Sequence, residues 1–370
     1  MEFIVKKFEI LREISLTQGV VEKKTTIPIL ANLLMDARGE NVHLAATDLE
    51  LGIKTNCRAK VKKEGCITTP AKSFLDIIRS LPDADIKIKR LENDWVQITC
   101  GSASFKIVGL PSDNFPALPE LKENLVDIPA LVLLNLINKT IFAIASEESR
   151  YTLNGALLLV KPLSVTMVST DGHRLAHIEK QANFENLNTE VRVLIPKKAL
   201  AELQRLLAEA EEGDLISFGK DATHLFFRLK NRLMISRMLT GQFPNYDAVL
   251  PKENSKTIIL NREEIGSAVK RVSLLADDKS RAIRILLDNN KLEISSSNTD
   301  LGEAKETLET DYTADPLQIG FNCQYLLDFL SVTQDSSVSF DFKDEQSAGQ
   351  LRPATEEDYH YRYIVMPMRV

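Results

Sequence analysis

His173 and His177 are the side chains whose type and spacing come nearest to a metal site. On a helix that spacing would put two imidazoles on one face. The surrounding TDGHRLAHIEK reads as a strand, however, where four residues span about 13 Å, too far for one ion to bridge. A phosphate-cradling loop is nearly spelled by EEGDLISFGKDA, but Gly213 to Gly219 is one residue too long and Asp221 stands where Ser or Thr is required. Neither GxGxxG nor GxSxG occurs. Cys57, Cys66, Cys100 and Cys323 are too dispersed for zinc and too few for a disulfide framework, so they read as ordinary buried thiols. Asp48, Asp171 and Asp300 each follow a Thr. An acid site recurring three times makes little chemical sense, whereas Asp at the end of a strand has a local role, accepting backbone N–H groups of a turn. No catalytic residue, metal ligand or cofactor is expected.

Those three Thr-Asp pairs expose an internal repeat, Asp48 to Asp171 to Asp300 being separated by 123 and 129 residues. Each ends a strand-like run (ENVHLAATD, LSVTMVSTD, NKLEISSSNTD) preceded by another (ILANLLMDA, LNGALLLVK, IRILLDN), which makes a hairpin three times. Downstream, Pro70 and Pro196 open the helical patterns SFLDIIRSL and ALAELQRLL, and Asn322 is placed to cap CQYLLDFLSV. Each module also begins with an amphipathic helical stretch: 8–19, 129–146 and 261–275, the last with Ile265, Ala268, Val269 and Val272 on one stripe. Further strands follow, and the first two copies close with Phe-Pro, at Phe115-Pro116 and Phe243-Pro244. The fold class is therefore α+β: three tandem copies of a two-helix plus antiparallel-sheet module, with domains at 1–122, 123–250 and 251–370.

Composition agrees. The 370 residues exceed one ordinary core, and 44% hydrophobic with 26% charged residues is typical of a soluble globular chain. No apolar run is long enough to span a bilayer, and MEFIVKKFEI lacks the form of a secretory signal, so no membrane partner and a cytoplasmic location are expected. The net charge of −6 excludes a uniformly basic surface, so any nucleic-acid contact must be local.

The three modules, together with TDLE, TDGHRLA, GQFPNYDAVLP and the terminal VMPMR, resemble the beta subunit family of bacterial DNA polymerase III, the beta sliding clamps, over essentially the whole chain. The resemblance implies the DNA clamp fold: strands outside, helices lining a pore, and two subunits closed head to tail into a homodimer ring. It implies a non-enzymatic processivity subunit that encircles double-stranded DNA without sequence specificity. Its partners would be the DNA polymerase III catalytic subunit, the clamp loader and other replication and repair factors. Simple packing allows this: twelve helices 8–10 Å apart in a circle leave a hole of roughly 28 Å, wider than a duplex, whereas six leave about 9 Å.

The six helical stretches carry a formal +3 against −9 for the rest. Lys72 and Arg79, and likewise Lys198 and Arg205, stand seven apart on one helix face. With Lys24, Arg150, Lys197, Arg262, Lys270 and Arg271 they are the candidate DNA-facing residues, the plain alternative being solvated surface cations. The resemblance also implies a client-peptide pocket of Leu153, Thr170, Gly172, His173, Arg174, Leu175, Pro244, Val249, Asn322, Tyr325, Ile364, Val365, Met366, Pro367, Met368 and Arg369. That set is mostly apolar with a few polar groups, the usual makeup of such a site, although VMPM could also be an edge strand filling a core. Ala248 stands where some relatives carry Arg. Phe105 and Ile107 of one subunit would meet Leu274 and Leu275 of the next, although their apolar type also fits an intramodule core. A different class, a three-module enzyme or carbohydrate-type binder, remains the alternative.

Overall fold

The computed structural model describes every residue except 22–25, 122, 124, 146–150, 185–186, 188, 252–254, 356–357 and 370. Six α-helices lie among the described residues: α1 (Lys7–Thr17), α2 (Ala71–Ser80), α3 (Ala130–Asn138), α4 (Lys197–Leu207), α5 (Arg262–Val272) and α6 (Cys323–Val332). There are two per module, as the repeat predicts. Pro70 and Pro196 end the preceding strands rather than opening the helices, which start one residue later. The stretch 129–146 is not one helix: α3 stops at Asn138, and Thr140 turns its hydroxyl onto the Leu136 carbonyl before a short 3₁₀ turn at Ile141–Ala143.

The helices follow from their patterning. In α2, Ala71, Phe74, Leu75 and Ile78 are buried while Lys72 and Arg79 face outward. In α5 the stripe Ile265, Ala268, Val269 and Val272 is buried, and Asn261 caps the helix by accepting from the N–H groups of Glu263 and Glu264 at 3.0 and 3.1 Å. Asn322 does the same for α6 through Gln324 N–H at 2.9 Å.

Each module is itself double, each half being a strand, a helix and a three-strand meander. The opening strand of one half always pairs with the first meander strand of the other: Glu2–Lys6 with Asp85–Arg90, Val126–Pro129 with Leu215–Lys220, Lys256–Asn261 with Ser337–Phe342, and reciprocally in each module. The resulting quartets then join through their outer strands. Leu51–Arg58 pairs with Arg232–Arg237, and Arg174–Gln181 with Tyr359–Val365, making two eight-stranded sheets. The remaining sheets end at Ala103–Val108 and at Gly302–Glu309.

The chain accordingly divides into two compact units that cut across the sequence modules: Met1–Leu134 with Lys198–Met238, and Asn135–Lys197 with Leu239–Val370. The two meanders of the central module belong to different units. In the first unit, the joint between modules holds an ion network with little access to water. Glu13 of α1 accepts from Arg232 at 2.8 and 3.0 Å, and Arg232 also reaches Glu209 at 2.7 Å. Both Glu13 and Arg232 are buried. Burial pushes the neighbouring Cys57 thiol up to about 12. Removing one member leaves an uncompensated charge, so Glu13→Leu should cost about 3–5 kcal/mol in denaturant unfolding, and adding Arg232→Leu should restore a substantial part of it.

Candidate functional site

The Thr-Asp motif builds the site's first element. Thr170 Oγ1 donates to the Arg174 carbonyl at 2.6 Å and accepts from Gly172 N–H at 3.1 Å, while Asp171 Oδ1 accepts from the N–H groups of His173 and Arg174 at 2.9 and 3.1 Å. Thr47 and Asp48 repeat this pattern with Leu49, Glu50 and Leu51. The motif is turn chemistry in both places. In the third copy the turn is one residue shorter, and Asn298 takes over as acceptor, from Asp300 N–H at 2.9 Å.

Arg174 is thereby aimed at α6. Its guanidinium donates to Asp171 at 3.0 Å, to Asp328, to the Phe142 carbonyl at 2.6 Å and to the Tyr363 hydroxyl at 3.5 Å, and lies 4.4 Å from the Tyr325 ring centroid. Tyr363 in turn donates to the Tyr325 carbonyl at 3.0 Å. Burial works against the guanidinium charge, but Tyr363, Asp328 and Asp171 hold it in place. Arg174 is committed to protein partners; it fixes the Thr-Asp turn against α6 and the last strand.

Leu153, Leu175 and Ile364 lie buried in one apolar cluster with Leu157, Val168, Leu194, Phe243 and Leu250. Above it, Pro244, Val249, Met366, Gly172, His173 and Arg369 are exposed, while Tyr325, Asn322, Pro367 and Met368 are half-buried. Met366 N–H donates to the His173 carbonyl at 2.9 Å and Met368 N–H to Gly320 at 2.8 Å, so the C-terminal segment runs from one sheet to the next. Thr170 and Val365 are buried, and the strand's alternation turns Val365 to the face opposite Ile364. Exposed Pro244, Val249 and Met366 thus stand within two residues in sequence of the buried cluster members Phe243, Leu250 and Ile364.

Sequence reasoning missed Phe243 and Leu250, which belong to the buried cluster, and Tyr246, which packs against it, although the recurring Phe-Pro pointed to them. It also set aside His177, which is buried at 5% exposure with its ring 5.6 Å from Tyr246 and its Nδ1 without a hydrogen-bond partner. Burial, with Arg362 nearby, lowers its pKa to about 4. It is a buried, neutral imidazole packed against Tyr246.

Of the basic candidates, Lys24 and Arg150 lie outside the described residues. Lys72, Arg79, Lys197, Lys198, Arg205, Lys270 and Arg271 are exposed. Arg205 pairs with Glu202, Lys198 with Asp48 and Arg271 with Glu306. Arg262 is different, because it donates to the Asp335 carbonyl at 2.9 Å and to the Leu330 carbonyl at 3.5 Å and so braces the end of α6. Phe105 and Leu274 are exposed, at 36% and 76%, and Ile107 and Leu275 half-buried, so none belongs to the core. Among the described residues no group of three or more His, Cys, Asp or Glu could hold a metal ion, and no helix is long and apolar enough to cross a membrane.

Comparison with known proteins gives three consecutive family matches: DNA polymerase III beta subunit N-terminal domain at residues 1–119, central domain at 127–245 and C-terminal domain at 247–369. The beta sliding clamp of Pseudomonas putida is 35% identical, with both chains fully covered. Crystal structures of sliding clamps from Pseudomonas aeruginosa and Bartonella birtlesii, each bound to griselimycin, superpose at a TM-score of 0.94 with 34% identity over all of both chains.

Because His177 is neutral when folded and has an ordinary pKa of 6.5 when unfolded, the unfolded state takes up its proton first. Its contribution is intact above pH 6.5 and falls as pH drops towards 4, by up to about 3 kcal/mol. His177→Val should flatten the urea-unfolding profile between those pH values; an unchanged slope would refute the assignment.

Proposed function

The chain belongs to the DNA polymerase III beta subunit family, and we propose that it is a DNA sliding clamp: a non-catalytic homodimer ring that encloses duplex DNA and tethers polymerases for processive synthesis. The observation that carries this reading is the rule by which its sheets join. Each join unites the last strand of a module's first half with the last strand of the following module's second half. Applied once more, the rule pairs Gly302–Glu309 of one copy with Ala103–Val108 of the next. Two such joins use the free meander edges of both copies and close them head to tail. Exposed Phe105 and Leu274, with Ile107 and Leu275, supply apolar contact there.

Exposed cations on α2, α4 and α5 support a lining that meets phosphate without reading bases. The trough bounded by Leu153, Leu175, Pro244, Val249, Ile364 and Met366 is the proposed client groove, and it supports capture of short apolar peptide motifs on the catalytic subunit, the clamp loader and other replication and repair factors. Domains at 1–122, 123–250 and 251–370 and a cytoplasmic location belong to the same proposal.

Enclosure predicts that the protein, once loaded, stays on nicked circular DNA and is lost within minutes when the circle is linearised; equal retention on both forms rejects a ring. Leu274→Asp with Phe105→Asp should halve the mass seen by light scattering and abolish retention on circles. Deleting Met366 to Val370 should weaken binding of an apolar client peptide at least about tenfold and leave the dimer intact. Undiminished peptide affinity would refute the groove.

A further inference from the structure

The repeat sets a second face in register with the client groove, and its chemistry is different. Aligning Thr47-Asp48 with Thr170-Asp171 carries Leu157, Val168, Leu175 and His177 onto Leu34, Ala45, Gly52 and Lys54, with the cross-strand pairs unchanged: Leu157 faces Val168 and Leu34 faces Ala45; His177 faces Arg362 and Lys54 faces Leu233. Glu179 falls on Asn56, and Leu159 on Asp36. At the position of Leu175 the first module has Gly52, and a Cβ there would lie 2.7 Å from Leu118. Leu118 sits three residues beyond Phe115, as Tyr246 does beyond Phe243. In the first module the chain's own linker therefore packs directly onto the strand at that position.

Beside Leu118 the face opens into a cavity of about 460 Å³ lined by Leu34, Ala45, Lys54, Asn56, Arg228 and Leu233. That size suits a side chain or a few residues of peptide. Its floor is apolar, with Leu34 and Leu233 half-buried and Ala45 buried. Its walls are cationic. Lys54 donates only to the Leu118 carbonyl, at 3.3 Å, and neither Lys54 nor Arg228 has an ion pair among the described residues. The lining also holds an acid, Asp36, which pairs with Arg38 at 2.6 Å, and a further cation, Lys230, which pairs with Asp214 at 2.7 Å.

We propose that this cavity is a second docking site, selective for an acidic peptide that places one apolar side chain over Leu34 and Leu233 and a carboxylate between Lys54 and Arg228. Charge complementarity chooses this occupant over the purely apolar motif the main groove suits. The two grooves of one chain would then hold two segments of different chemistry. The inference uses the groove reading only as a structural counterpart.

The test is a titration of the full chain against a fluorescein-labelled hexapeptide with one leucine among glutamates, followed by polarisation. Lys54→Glu/Arg228→Glu, at a half-buried and an exposed position, should raise Kd at least about tenfold at low salt with an unchanged melting temperature. The variant lacking Met366 to Val370 should bind this peptide as the full chain does, whatever becomes of its apolar clients. Unchanged affinity in the double variant overturns the proposal, as does loss of binding in the truncated one, which would assign the peptide to the main groove. A charge reversal that weakens binding of labelled duplex DNA and not of the peptide would overturn it too, making the face a nucleic-acid surface.

Discussion

Every strand edge in this chain must satisfy its backbone hydrogen bonds, and that requirement organises the molecule more than any side-chain cluster does. No half-module can close its own sheet, because its opening strand pairs in the other half's meander. The exchange locks the two halves together. It also leaves the last meander strand of each half exposed, so modules polymerise in one direction through identical joins until the chain ends. A chain of three modules therefore makes two internal joins and keeps two complementary edges.

The joins share topology but not chemistry. Between the first and second modules, Glu13 and Arg232 face one another in a buried ion pair extended by Glu209 and Arg12. Between the second and third, Arg174 lies against Asp328, Phe142 and Tyr325, while Tyr361 donates to the Lys139 carbonyl at 2.8 Å. Buried ionic groups contribute little net stability but penalise misalignment strongly, since a slipped register strands a charge in the interior. We regard both clusters as register locks on otherwise generic strand pairings.

Much of this was legible in sequence because it depends on local spacing. The Thr-Asp turns, the hairpins and the helix stripes each lie within about ten residues, where backbone geometry alone ties pattern to structure. Asn322 announced its cap in the same way, whereas the cap at Asn261 came with the structure. What sequence did not disclose was non-local. The doubling inside each module is hidden because the opening strands are as short as Val126–Pro129 and carry no alternation to compare. Resemblance placed Arg174 among the pocket residues, and only the fold discloses that its guanidinium turns onto Asp328. His177 suggested a ligand by type; its true character comes from Tyr246, which lies 69 residues further along and covers it.

Gly52 and Leu175 illustrate how a repeat diverges without losing its frame. Their backbones occupy matching register positions, so the sheet does not distinguish them. A leucine there makes a floor that the linker only borders; a glycine there admits Leu118 and closes the floor from above. Once that space is filled from within, the neighbouring outward positions are released from packing an apolar guest, and charged residues cost little there. Lys54 and Asn56 stand on the face where the second module keeps His177 and Glu179. A single exchange of bulk between sheet and linker thus decides which chemistry each joint presents, while the hydrogen-bonded frame beneath remains the same.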